Sequence, residues 1–182
     1  MRNYILALGL VMLTAASTFA QLKAKGAATV SERPPAAFVR DKFDPARNPS
    51  DDLKAAIETA SKENKRIILD VGGEWCGWCV YMDKFIFQHP ELTKLRDENY
   101  VWVKINMSEE NENVPFLGAY PEISGYPHLF VLDKSGTLLE SKDTSALEED
   151  KGYNLARFTA FLQKWAVKRK YLYLSSNSAH MR

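Results

Sequence analysis

The sequence predicts an α/β fold, a central mixed β-sheet flanked by helices on both faces. Three observations carry that expectation. Short apolar runs at 66–71, 100–105 and 129–132 have the length and β-branched content of strands. Segments at 53–60 and 155–165 instead place their apolar residues at helical spacing. The elements alternate: helix, strand, helix, strand, helix, two strands, helix. A strand–helix–strand unit followed by a hairpin and a helix builds a sheet containing both parallel and antiparallel pairs.

The chain has 182 residues, enough to bury one core without a disulfide staple. Apolar residues are 46% and charged residues 26%, the proportions of a globular domain. A net charge of +1 and the absence of a basic stripe interleaved with aromatics give no footprint for nucleic acid.

Residues 1–20 differ in kind. Arg2 precedes an apolar run at 4–13, and Thr18-Phe19-Ala20 offers a small-residue cleavage site. This reads as a secretory signal peptide. The competing reading is an uncleaved anchor, but the run falls short of the about 20 apolar residues that span a bilayer. No stable membrane span is expected after cleavage. Export to the periplasm is preferred over secretion or the lumen of the endoplasmic reticulum.

Residues 21–49 hold Gly26, Pro34, Pro35, Pro45 and Pro49 among small and charged residues, and are expected to form a flexible lead. Ser50 is expected to cap the first helix, with Asp51 and Asp52 in its first turn and Leu53, Ala56, Ile57 and Ala60 on one face. Asn64 and Lys65 end it. The strand at 66–71 has apolar residues without alternation, which predicts burial on both faces. A helix follows through Val80, Met82, Phe85 and Ile86, is interrupted at His89-Pro90, and resumes over 91–97. The second strand is 100–105.

After an acidic, Asn-rich loop at 108–113, a short helix is expected at 114–120. Strands at 129–132 and 137–140 form a hairpin through Asp133-Lys134-Ser135-Gly136, with Gly136 at a positive-φ position. A polar loop is expected through Glu148-Glu149-Asp150. The last helix begins near Asn154 and turns Leu155, Phe158, Leu162 and Trp165 inward. Residues 173–182 form a polar tail.

Cys76 and Cys79 are the only cysteines, and they open the second helix directly after the first strand. Amides at a helix start lack partners and the dipole end is positive, so a thiolate at Cys76 is stabilised there. That sulfur is expected to be exposed. Cys79, one turn inward on the same face, can attack a mixed disulfide formed at Cys76 and release the partner. A structural bridge over so short a loop would remove little unfolded-state entropy. Gly77 lets the chain turn into the helix, and Trp78 adds bulk without charge. Without a histidine between the cysteines, the potential is expected on the order of −200 to −270 mV. Zinc wants four ligands, and the pair plus scattered His89, His128 and His180 does not supply them. Covalent haem attachment wants histidine where Val80 stands.

Over residues 51–168 the chain resembles the thioredoxin superfamily. The Trp75-Cys76-Gly77-Trp78-Cys79 core carries the likeness, with three further matches. Asp70, six residues before Cys76, stands where the family has a buried aspartate that accepts the proton of the resolving cysteine. The alternative is a solvated residue at a strand end. Lys104 matches a lysine that pairs with that aspartate; the alternative is a lysine that snorkels to water. Tyr126-Pro127 matches the cis-proline loop that lies against the cysteines and receives the partner chain, where an ordinary trans proline is the alternative.

The chain also departs from thioredoxin. Gly72-Gly73 replaces a tryptophan and an alanine, which predicts a looser pocket floor. Trp78 replaces a proline. His128 replaces a common threonine, and either approaches the sulfurs or stands at a strand edge. Asn64-Lys65-Arg66 and Phe87-Gln88-His89-Pro90 resemble exported relatives of the C-terminal domain of the transmembrane thiol reductases, and also small relatives of the endoplasmic reticulum.

The resemblance implies a thioredoxin-like domain at 50–172 that acts as a thiol–disulfide oxidoreductase, reductant more than oxidant. Cys76 and Cys79, with Asp70 and Lys104, would carry the chemistry. Trp75, Gly77, Trp78, Tyr126 and Pro127 would face the partner. Disulfide-bearing client proteins are the expected partners, with a second redox protein to recharge the dithiol. No metal, nucleotide or flavin is implied. The rival expectation is a binding module of the same fold whose disulfide seldom turns over.

Overall fold

The computed structural model describes residues 41–167. The expected signal peptide, residues 21–40 of the lead and the tail at 173–182 lie outside them.

Helix α1 spans Pro49–Glu63. Its cap is Asn48, not Ser50: the Asn48 side chain accepts from the Ser50 amide at 2.9 Å. Pro49 takes the first helical position, where no amide hydrogen is needed. Asn64 closes the helix in the left-handed region at φ 52°.

Strand β1, Arg66–Gly72, is buried from Ile67 onward. Helix α2 is Gly77–Gln88. Pro90 ends its run and starts α3, Pro90–Asn99. Strand β2, Tyr100–Asn106, pairs in parallel with β1 and places Lys104 opposite Asp70. Helix α4 is a single turn, Val114–Leu117. Strand β3, His128–Leu132, runs antiparallel to β1. Strand β4, Leu138–Asp143, completes the order β2-β1-β3-β4. In the hairpin between them Gly136 has φ 88°, and the Asp133 carboxylate accepts from the Ser135 and Thr137 amides.

β4 runs three residues beyond the expected strand because Ser141, Lys142 and Asp143 continue the ladder with β3. The expected polar loop is structured as well. A 3-10 turn, Thr144–Leu147, leads into β5, Glu148–Glu149, which pairs with β6, Gly152–Tyr153. Buried Leu147 and Tyr153 anchor that small hairpin. Helix α5 is Leu155–Trp165.

The pleat of the sheet explains its two cores. Ile68, Leu129 and Val131 point to one face, where they meet Met82, Phe85 and Ile86 of α2, Leu92 of α3, and Phe158, Phe161 and Leu162 of α5. Ile67, Leu69, Val71, Phe130 and Leu132 point to the other, under Ala56 and Ala60 of α1. Helices therefore cover both faces, as the sequence predicts, and β1 is buried on both.

The lead does not stay outside this unit. Phe43 is 2% exposed and packs against Cys76, Cys79 and the partly buried Tyr126. Asn111 donates to the Pro45 carbonyl at 2.9 Å, and Arg47 pairs with Asp52 of α1. Residues 41–49 are thus part of the folded body rather than a flexible lead. A long-range apolar contact outweighs their polar, proline-bearing composition.

Candidate active site

Cys76 and Cys79 form a disulfide. Cys76 is the cap of α2, and its sulfur accepts from the Cys79 amide at 3.1 Å. The first sulfur therefore sits against a first-turn helix amide, which also donates to the Cys76 carbonyl at 3.1 Å, at the positive end of the dipole. It is not exposed, however: Cys76 is 4% exposed and Cys79 is fully buried. The bond turns the Cys76 sulfur inward toward Cys79, and Phe43 and Tyr126 cover what remains.

Around this pair stand Trp75, Gly77, Trp78, Tyr126 and Pro127. Trp75 is 59% exposed, donates its indole N–H to the Met107 carbonyl at 2.7 Å, and meets Tyr126 edge-on. Gly73 makes that indole position possible, since a Cβ there would stand 2.3 Å from Trp75 Nε1. A Cβ on Gly77 would meet nothing within 4 Å, so Gly77 leaves open space beside Cys76 rather than relieving a clash. Trp78 stacks edge-on against both Tyr81 and Tyr153. The Tyr126–Pro127 peptide bond is cis. The Pro127 carbonyl accepts from the buried Thr144 hydroxyl at 2.7 Å, which ties the loop to the 3-10 turn.

Behind the disulfide lies a buried charge cluster. Asp70 is completely buried at the end of β1, and the Lys104 ammonium lies 2.8 Å from Asp70 Oδ2. The indole N–H of Trp102 donates to the same oxygen at 3.0 Å. Lys104 neither snorkels nor pairs with Asp70 alone. It also bridges to Asp83 of α2 at 2.8 Å. Burial disfavours the ammonium, but the charges of Asp70 and Asp83 outweigh it and raise the Lys104 pKa above the ordinary value. Asp70 Oδ1 is buried and has no hydrogen-bond partner among the described residues. A carboxyl oxygen so placed is left with unused hydrogen-bond acceptor capacity.

Asp83, Trp102, Phe43 and Tyr153 were not singled out from sequence. Asp83 follows Cys79 by four residues, one helical turn along the same face, and that spacing was a usable signal. Phe43 and Tyr153 come from segments read as loops. The looser floor expected from Gly72-Gly73 is not found. A Cβ on Gly72 would stand 2.5 Å from Cys79 Sγ and 3.1 Å from the Phe43 ring, so sulfur and ring already fill that space.

His128 does not reach out toward solvent. It is buried in β3, with Nε2 2.8 Å from the Ser141 hydroxyl and its ring tilted against Phe130. Burial lowers its pKa, against a smaller opposing pull from Asp143. Among the described residues no cluster of three or more metal-ligating side chains occurs, and no helix is long and apolar enough to cross a membrane.

A family model described as thioredoxin-like matches residues 48–134. Among curated proteins, spermatogenesis-associated protein 20 of Mus musculus is 41% identical over 54 residues, 30% of this chain but 7% of that protein's length. Two solved structures share the fold. A disulphide isomerase from Xylella fastidiosa Temecula1 aligns with a TM-score of 0.57 at 22% identity, covering 69% of this chain and 97% of its own. The oxidised C-terminal domain of DsbD from Neisseria meningitidis aligns with a TM-score of 0.50 at 24% identity, covering 69% and 99%.

Proposed function

The chain is a thioredoxin-superfamily protein with a thioredoxin-like fold, and from that premise we propose that it is an exported thiol–disulfide oxidoreductase acting on protein disulfides, reductant more than oxidant. The observation that carries this reading is the position of Cys76, which caps α2 with its sulfur on the Cys79 amide. The same geometry that accepts a hydrogen bond in the disulfide favours the anion in the dithiol.

The Cys76 thiolate attacks one sulfur of the client disulfide, forms a mixed disulfide and expels a client thiolate. The Cys79 thiol gives its proton to the Asp70 carboxylate and attacks Cys76 Sγ, releasing the second client sulfur. The client gains two electrons, and the pair becomes the disulfide seen here. Asp70 Oδ1, unpartnered and buried, is the acceptor; Lys104 holds the other oxygen. Trp75, Gly77, Trp78, Tyr126 and Pro127 receive the client. The cysteine pair itself stores the electrons, so no metal, nucleotide or flavin is required, and a second redox protein recharges the dithiol. A signal peptide at 1–20 would deliver the protein to the periplasm.

The burial of Cys76 favours a second reading, a client-binding module whose disulfide turns over slowly. Insulin reduction with dithiothreitol as donor separates the two. Turnover that Cys76→Ser abolishes supports the enzyme. Absent turnover with retained client binding supports the module. Equilibration against glutathione fixes the direction, and a potential near the roughly −120 mV of strong oxidants would reject the reductant. The Cys79→Ser variant should accumulate mixed disulfides that identify the clients.

A further inference from the structure

Phe43 is a large apolar residue in an otherwise polar stretch, Asp41-Lys42-Phe43-Asp44, yet it is among the most buried side chains of the site. Three contacts fix it. Its backbone N–H donates to Glu74 Oε1 at 2.9 Å, one residue before Trp75. Its ring packs with Cys76, Cys79 and Tyr126. The Lys104 ammonium stands 4.2 Å from the ring centroid. Gly72 supplies no side chain at this point, and the edge of the Phe43 ring lies where a Cβ there would crowd it. Phe43 thus bounds both the inner sulfur and the cation that holds Asp70.

We propose that Phe43 is a positioning residue for the resolving step: its ring walls Cys79 and the Asp70–Lys104–Asp83 cluster off from water. Three physical consequences follow. A sulfur kept from water gives up its proton less readily, so Cys79 stays a thiol until a base takes the proton. Charges kept from water interact more strongly, so the ammonium holds the two carboxylates in place. The ring face adds an attraction for the cation and keeps it centred. The wall belongs to a segment outside the sheet and helices, tied down by Glu74, Asn111 and Asp52. Without it, the Gly72 position would leave the inner sulfur open.

This proposal rests on Cys79 being the resolving sulfur, but its test reads the sulfur directly. In a reduced Cys76→Ser background, Cys79 alkylation is followed against pH, giving a midpoint and a plateau rate. Phe43→Ala is expected to lower the midpoint by about one pH unit, as hydration of a buried thiol requires. Phe43→Leu, which keeps an apolar wall, should move it by roughly a third of that or less. Phe43→Val keeps the series readable if the alanine variant melts. A loosened structure alone would raise the plateau rate and leave the midpoint fixed. A midpoint that stays put across folded Leu, Val and Ala variants overturns the proposal. Failure of the unsubstituted protein to reduce insulin, with the midpoint shift intact, would reject the oxidoreductase reading and keep the wall.

Discussion

The disulfide separates two surfaces of opposite character. On its outer side Trp75 and Trp78 stand in solvent around the gap left by Gly77, and the tethers are one indole hydrogen bond and edge-on aromatic contacts. On its inner side Asp70, Lys104 and Asp83 form a closed ion cluster whose lysine side chain is 8% exposed, with Phe43 against it. The exposed tryptophans of the outer side come from one stretch of chain, residues 75–78, and lean on Met107, Tyr126 and Tyr153. The inner side joins four segments, the ordered lead, β1, α2 and β2. The difference teaches that, under the proposed function, recognition and proton handling would rest on separate groups. Substitutions on the inner side should cost stability first, and those on the outer side should cost client reduction first.

The largest effect is expected at Lys104. Lys104→Met leaves two buried carboxylates without their cation, and unfolding in urea should show a loss of about 3–5 kcal/mol. A loss below about 1 kcal/mol would mean that water reaches the cluster and that the inner side is not closed.

Asp83→Asn comes next. It removes one charge-assisted bond and leaves the Asp70 pair, for an expected loss of about 1.5–3 kcal/mol in the same assay. It should also change the alkaline limb. The Lys104 pKa is raised in the fold, so the cluster's contribution is complete below the ordinary lysine value of 10.5 and is lost as pH rises through the higher folded value. In the Asp83→Asn variant the folded value is raised less, so that loss should be smaller and should end at lower pH. Thermal melts of both proteins through the alkaline range, started below 10.5, would show it.

Trp78→Ala sharpens the comparison from the other side. It should reduce insulin turnover about tenfold, the equivalent of one modest aromatic hot spot. Reaction with dithiothreitol, which needs no such surface, should remain unchanged. Equal losses toward both would place Trp78 in the chemistry instead.

The smallest effect lies at His128. Its pKa is lowered by burial, so the neutral ring's contribution is present above the unfolded value of 6.5 and declines as pH falls through the lower folded value. Nδ1 has no partner among the described residues to receive the added proton. His128→Asn should flatten the melting curve below pH 6.5, and an acid limb as steep as before would remove His128 as its cause.

What the sequence disclosed follows the same division. β1 was legible because an unbroken apolar run admits few other structures, and α5 because its apolar stripe keeps helical spacing. Trp75, Gly77 and Trp78 of the outer site were legible because a contiguous motif contains them, whereas Tyr126 and Pro127 were legible only through resemblance. Asp70 and Lys104 were legible only through resemblance, since neither strand register nor burial is written in the local pattern. Asp83 had a signal in its spacing from Cys79. Phe43 had none: one aromatic residue among charges carries no periodicity, and its contact reaches across the chain to Glu74. The β5–β6 hairpin escaped for a similar reason, because its hold depends on Leu147 and Tyr153 meeting a core assembled elsewhere.

The most direct test is the alkylation rate of Cys76 in the reduced Cys79→Ser protein at neutral pH, set beside that of free cysteine. The helix start should hold that sulfur as an anion, so it should react severalfold faster and keep reacting below the roughly 8.5 at which a free thiol ionises. A rate equal to or slower than free cysteine, with the same pH midpoint, would contradict the nucleophile and leave only the fold.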